Sequence, residues 1–129
     1  VQVLLDTCAL LWLVGDPARL SVRARAALES AETEAYVSAI SGFEISVKQR
    51  KGKLELPLPP REWLAQAFAA YSLRELPITL QIAALAPDVA LAHSDPCDRM
   101  IVATAQLHRM PIMTSDQLII TCQEISVIW

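Results

Sequence analysis

Positive charge is in short supply in this sequence. Lysine and arginine total 11 against 14 aspartates and glutamates, for a net charge of −3 and a pI near 5.3. No global basic field therefore advertises nucleic-acid binding, and any such site must be local. No lysine follows Lys53, which excludes a phospho-acceptor receiver domain, whose strand-end acids work with a lysine at the end of the last strand. Cysteine is sparse too. Cys8, Cys97 and Cys122 are odd in number and lack metal-ligand spacing, so neither a disulfide framework nor a thiolate metal site is expected. No apolar run reaches membrane-spanning length, and no leader segment, repeat or low-complexity stretch stands out. Together these absences lead us to expect buried small thiols in a reducing, cytoplasmic setting, with no membrane association.

What is abundant is apolar. Hydrophobic residues are 53% and charged residues 19%, with a mean hydropathy of +0.36. That is greasy for 129 residues, a length suited to one domain spanning 1–129. A largely buried sheet, plus an apolar surface that meets another chain, would account for it.

Short β-type runs at 1–5, 35–38, 73–77, 111–114 and 125–129 alternate with helical stretches. The latter fall at 8–14, 21–30 behind a Ser21 cap, 40–51 stopped by Gly52, 61–71, 80–86 behind a Thr79 cap, 87–92, and 118–120. Val22 and Ala26 are expected on the buried face of the second helix. Ile40, Phe43 and Val47 should form the buried stripe of the third, and Trp63, Leu64, Ala67, Phe68 and Tyr71 that of the fourth. The strongest helix start is His93-Ser94-Asp95-Pro96-Cys97-Asp98-Arg99-Met100, with an apolar helix running on past Leu107. Such alternation predicts a single α/β domain with a parallel central sheet flanked by helices.

Four acids stand out. Asp6 and Asp116 each follow a strand directly, Glu44 borders the stripe of the 40–51 helix, and Asp98 shares a stripe with Ile101, Ala105 and His108. Each has a plain structural reading: the strand-end acids as helix caps, and Glu44 as an i,i+4 partner of Lys48. Ligands of open α/β sheets bind outside the carboxyl ends of the strands, so these acids can converge. Gathered carboxylates repel unless a cation compensates, and an oxygen-only cluster suits Mg2+ or Mn2+. Such an ion supports hydrolysis of a phosphodiester by in-line displacement. The residues alone thus point to a metal-dependent phosphodiester hydrolase. The basic cluster Lys48, Arg50, Lys51 and Lys53 is either a helix-end counter to the dipole or a local contact for a nucleic-acid backbone.

Four segments, in order, resemble the motifs of PIN-domain ribonucleases, and the VapC-type toxins of bacterial toxin–antitoxin pairs in particular. They are Val3-Leu4-Leu5-Asp6-Thr7, Val37-Ser38-Ala39-Ile40-Ser41-Gly42-Phe43-Glu44-Ile45, His93-Ser94-Asp95-Pro96-Cys97-Asp98-Arg99-Met100 and Thr114-Ser115-Asp116, with Leu10-Leu11-Trp12 and Gly52-Lys53-Leu54 between them. The resemblance implies a PIN-like fold and a Mg2+ or Mn2+ site. It also implies endonucleolytic cleavage of RNA, commonly tRNA or rRNA, restraint by a VapB-type antitoxin, and a homodimer. By position it makes Asp6, Glu44, Asp98 and Asp116 the metal-binding and catalytic acids and Asp95 an accessory acid. Thr7 or Ser115 would orient a ligand or water, with Arg99 and Lys48 as candidate RNA contacts. Phe43 stands where tryptophan is usual, with Gly42 before it, and Cys97 where phenylalanine is common. These departures bear on packing, since none is a carboxylate. Two other readings stay open: a PIN domain that binds RNA or protein without cutting, and a metal-free ribonuclease using His93 and His108 as base and acid.

Overall fold

The computed structural model describes residues 1–92 and 94–129. Five short strands, β1 (Gln2–Leu5), β2 (Glu34–Ser38), β3 (Arg74–Leu76), β4 (Ile112–Met113) and β5 (Val127–Ile128), form one sheet in the order β3-β2-β1-β4-β5. Every pairing is parallel, with Val3 beside Ala35 and Leu5 beside both Val37 and Met113. β1 is central, and its side chains alternate between two cores. Val3 and Leu5 join one with Leu10, Leu13, Ala24 and Trp63, whereas Leu4 joins the other with Ile82, Ile101 and Ile119. A strand buried on both faces reads as a continuous apolar run, which is why Val3-Leu4-Leu5 is legible as it stands.

The helices are α1 (Thr7–Gly15), α2 (Val22–Glu29), α3 (Ala39–Arg50), α4 (Pro60–Tyr71), α5 (Leu80–Leu85), α6 (Pro96–His108) and α7 (Gln117–Ile120), with 3-10 turns at Pro17–Arg19 and Ala86–Asp88. Their starts follow the capping residues. Ser21 accepts the Ala24 amide at 3.0 Å and Thr79 the Ile82 amide at 3.2 Å. α3 ends at Gly52, whose φ of 73° suits glycine, while the Lys53 amide returns to the Lys48 carbonyl at 2.9 Å.

Several faces differ from the sequence reading. Val22 is 89% exposed, and α2 turns Ala24 inward instead. Phe43 is 62% exposed and Tyr71 is also at the surface, while α3 buries Ser41 and Ile45. The reason is polar: Ser41 faces Thr7 of α1 and bonds to it, so a hydroxyl pair sets the rotation of α3. Residues 89–92 carry no helix beyond the 3-10 turn. Only Cys122 of the three thiols is buried, since Cys8 is exposed and Cys97 half-buried. No helix among the described residues is long and apolar enough to cross a membrane.

Candidate active site

The sheet reverses its winding between β1 and β4, and there the site is built. Asp6 leaves β1 and caps α1, its Oδ1 accepting the Ala9 amide at 2.8 Å. Asp116 follows β4 and caps α7, accepting the Leu118 amide at 2.9 Å. Asp95 caps α6, accepting the amides of Cys97 at 2.9 Å and Asp98 at 3.4 Å. The structural and chemical readings of these acids are therefore compatible: a cap fixes the carboxylate where the ligand site needs it.

Thr114 joins the two strand ends. Its hydroxyl, fully buried, donates to Asp6 Oδ2 and accepts the Asp116 amide at 3.0 Å. The sequence reading assigned the orienting hydroxyl there to Ser115, which is half-buried beside it. The role of Thr114 is not legible in its motif, because its partner lies 108 residues away in sequence. Ser41 was missed likewise. The Thr7 hydroxyl donates to Glu44 Oε1 at 2.6 Å, and Thr7 Oγ1 lies 2.9 Å from Ser41 Oγ. Thr7 has one proton and the carboxylate takes it, so Ser41 is the donor of the second bond. Glu44 Oε2 pairs with Lys48 Nζ at 3.0 Å.

Burial pushes the Asp6 carboxyl up to about 6. The bonds from Thr114 and Ala9 act against that, and the charges of Asp116 and Glu44 add to it. The thiols report the same field. Burial raises Cys8, with Asp6, Glu44 and Asp98 adding and Lys48 opposing. Burial also pushes Cys97 up to about 11, with Glu44, Asp95 and Asp98 adding and Lys48 again opposing. All five acids thus share one electrostatic neighbourhood, and both thiols are held away from the reactive thiolate.

A Thr114→Val variant tests the link between the strands. It leaves Asp6 Oδ2 and the Asp116 amide without their shared hydroxyl, an expected loss of about 1–3 kcal/mol. The Asp6 carboxyl should also titrate higher than in the parent, since the Thr114 bond lowers it. Urea unfolding and carboxyl-carbon NMR titration check the two effects.

Arg99, a candidate RNA contact in the sequence, also has partners within the chain. Its Nη1 donates to the carbonyls of Ala86 (3.4 Å), Pro87 (3.2 Å) and Val89 (3.2 Å), and its Nη2 to that of Leu91 (3.2 Å). Cys122 Sγ donates to another carbonyl of the segment, that of Ala90, at 3.2 Å. The guanidinium thereby clamps the segment that leads into the Asp95–Asp98 motif. His108, expected at a buried face or its rim, is exposed in the last turn of α6. His93 lies outside the described residues.

Among the described residues, no three Asp, Glu, His or Cys side chains are placed to hold a metal ion together. The donor set nonetheless fits a hard divalent cation by its chemistry, being carboxylates and hydroxyls around the buried Asp6. Asp6 is held by Thr114 and the Ala9 amide, and Glu44 by Thr7 and Lys48.

Fold and site together define a doubly wound α/β domain with an acidic ligand site at its switch point. The PIN domain family model matches residues 3–120. Ribonuclease VapC22 of Mycobacterium tuberculosis (strain ATCC 25618 / H37Rv) is 40% identical over 118 residues, covering 89% of this chain and 87% of that protein. Among solved structures, FitAcB from Neisseria gonorrhoeae aligns with a TM-score of 0.65 and 26% identity, over 98% of this chain and 96% of that one. VapBC2 from Rickettsia felis, bound to a DNA fragment from its promoter, shares the fold at a TM-score of 0.73, with 11% identity over 98% and 97% of the two chains. The chain belongs to the PIN-domain family, among its VapC-type members.

Proposed function

We propose that this chain is a metal-dependent endoribonuclease and the toxin of a type II toxin–antitoxin pair. The observation that carries the reading is Asp6, a buried acid raised to about 6 at the switch point with Asp116 and Glu44 adding their charge. A fold that needed only a cap there would be served as well by asparagine or serine. The 40% identity to a ribonuclease supports the activity.

Asp6, Glu44, Asp98 and Asp116 would hold Mg2+ or Mn2+. The ion, when bound, supplies a water of lowered pKa and stabilises charge on a phosphoryl oxygen. The chain's own part is orientation. Thr114 and the Ala9 amide fix Asp6, the Ser41–Thr7 relay fixes Glu44, and Asp95 holds the first turn of α6 beneath Asp98. Lys48, at the rim on α3, is the basic group placed to meet an RNA phosphate. Arg99 acts through the segment it clamps.

A VapB-type antitoxin is the proposed partner. Structural neighbours include toxin–antitoxin complexes. A groove of about 380 Å³ between α3 and α4, lined by Val37, Ala39, Gly42, Leu64 and Phe68, offers apolar surface beside the exposed Phe43. A homodimer, a cytoplasmic location and a tRNA or rRNA target complete the reading.

Antitoxin-free protein incubated with total cellular RNA should give discrete products with Mg2+ or Mn2+ and none with EDTA. The ends should be 5′-phosphate and 3′-hydroxyl. Cleavage that survives EDTA, or 2′,3′-cyclic phosphate ends, would sink the proposal. RNA binding without any cutting would identify a binding-only PIN domain instead.

A further inference from the structure

The Glu44–Lys48 pair is more than an exposed helix contact. Glu44 is mostly buried, with its side chain 13% exposed, and its other oxygen is already held by Thr7. Lys48 comes from the C-terminal half of α3, and its ammonium, on a side chain 41% exposed, reaches back to the acid at 3.0 Å, whereas Arg50 and Lys51 are exposed at the helix end.

We infer that the Lys48 ammonium is the resident counter-ion of the acid cluster, and that a divalent cation must displace it from Glu44 to bind. The inference rests on the metal-dependent reading above and deepens it. It accounts for an acid-rich site whose side chains, as placed, do not close around a metal. One of the required oxygens is paired with a cation of the chain's own. Like charges in one cluster repel, so ammonium and metal compete for the same carboxylate rather than share it. Lys48 swung away from Glu44 is then available at the rim for an RNA phosphate, so the two roles of the side chain follow one another.

Calorimetric titration of the full chain with MnCl2 tests this without RNA or activity. Lys48→Met should bind Mn2+ about tenfold more tightly than the parent, because a competing unit charge has gone. Lys48→Arg keeps a cation and should bind within about twofold of the parent. Lys51→Met removes the same charge from the exposed helix end and should leave the affinity unchanged. Melting curves give an independent reading: metal-free Lys48→Met should melt below the parent, and Mn2+ should raise its midpoint by more. Equal Mn2+ affinity in the parent and Lys48→Met overturns the inference while leaving the metal reading standing. Equal tightening in Lys51→Met overturns it in favour of a general charge effect. Failure of both the parent and Lys48→Met to bind Mn2+ overturns the metal reading, and this inference with it.

Discussion

Asp6→Asn should lower metal-dependent RNA cleavage by at least about a hundredfold and at the same time raise the stability of the metal-free protein relative to the parent as pH climbs through 4 to 6. The first effect is the loss of a charged ligand at the centre of the site, in the range seen when one preorganised electrostatic group is removed. The second follows from burial. Asp6 is raised from 3.8 to about 6 in the folded chain. The folded state therefore holds its proton more tightly than the unfolded state, and ionisation destabilises the fold as pH rises from about 4 to about 6. Above that window the whole penalty is present, on the order of 2–3 kcal/mol. Asparagine keeps an acceptor for the Ala9 amide and carries no charge, but it offers Thr114 an amide donor in place of the carboxylate oxygen, at a cost of about 1–3 kcal/mol that is set against the gain at every pH. The variant should therefore gain stability relative to the parent as pH rises through 4 to 6, with the difference constant above. Urea unfolding in EDTA at pH 4 and pH 8 is the measurement. A stability difference between the two proteins that is the same at pH 4 and pH 8 would refute the account of Asp6.

Arg99→Met should cost about 2–3 kcal/mol of stability and lower the melting midpoint by roughly 8 °C. The bonds do not simply add. Nη1 has two protons for three carbonyls, and the carbonyls of Ala86 and Val89 also accept the backbone amides of Val89 (3.4 Å) and Leu91 (2.9 Å). Arg99→Lys should recover part of the loss, since a single ammonium cannot span acceptors from Ala86 to Leu91. A side chain whose work was to hold RNA would behave otherwise. Its removal would raise KM for RNA and leave the melting midpoint where it was. That outcome would return Arg99 to the role expected from the sequence.

The contrast between Asp6 and Arg99 shows what the sequence makes legible. Asp6 stands at the end of an unbroken apolar run and before a helix, and both signals are local. The same holds for Ser21, Thr79 and Asp95, whose caps follow from side-chain reach over two or three residues. All five strands and all seven helices have counterparts in the sequence reading, because alternation of short apolar runs with amphipathic stretches is itself local. The carbonyl clamp of Arg99 is not legible because its acceptors are backbone carbonyls, which every sequence has and none displays. Thr114 and Ser41 were silent for a related reason: each is defined by a partner on another element. The rotation of α3 shows how far one such bond can reach. Apolar periodicity pointed Phe43 inward, yet the Ser41–Thr7 contact turns Ser41 and Ile45 to the core and carries Glu44 round to the acids. Cys8 and Cys97 were expected to be buried as small thiols, and their exposure follows from sitting beside that polar cluster instead of within either core.

Three of the five acids at the switch point are also helix caps, and asparagine, serine or threonine would cap α1, α6 and α7 about as well. Selection on folding is consequently blind to these positions. A copy of the gene relieved of its need to cut could exchange Asp6, Asp95 or Asp116 by single substitutions, fold about as firmly as before, and go on presenting the same surface to its partners. Retired members of such a lineage would persist as well-folded proteins that have lost only their chemistry. The architecture alone would therefore not keep such a set of acids in place.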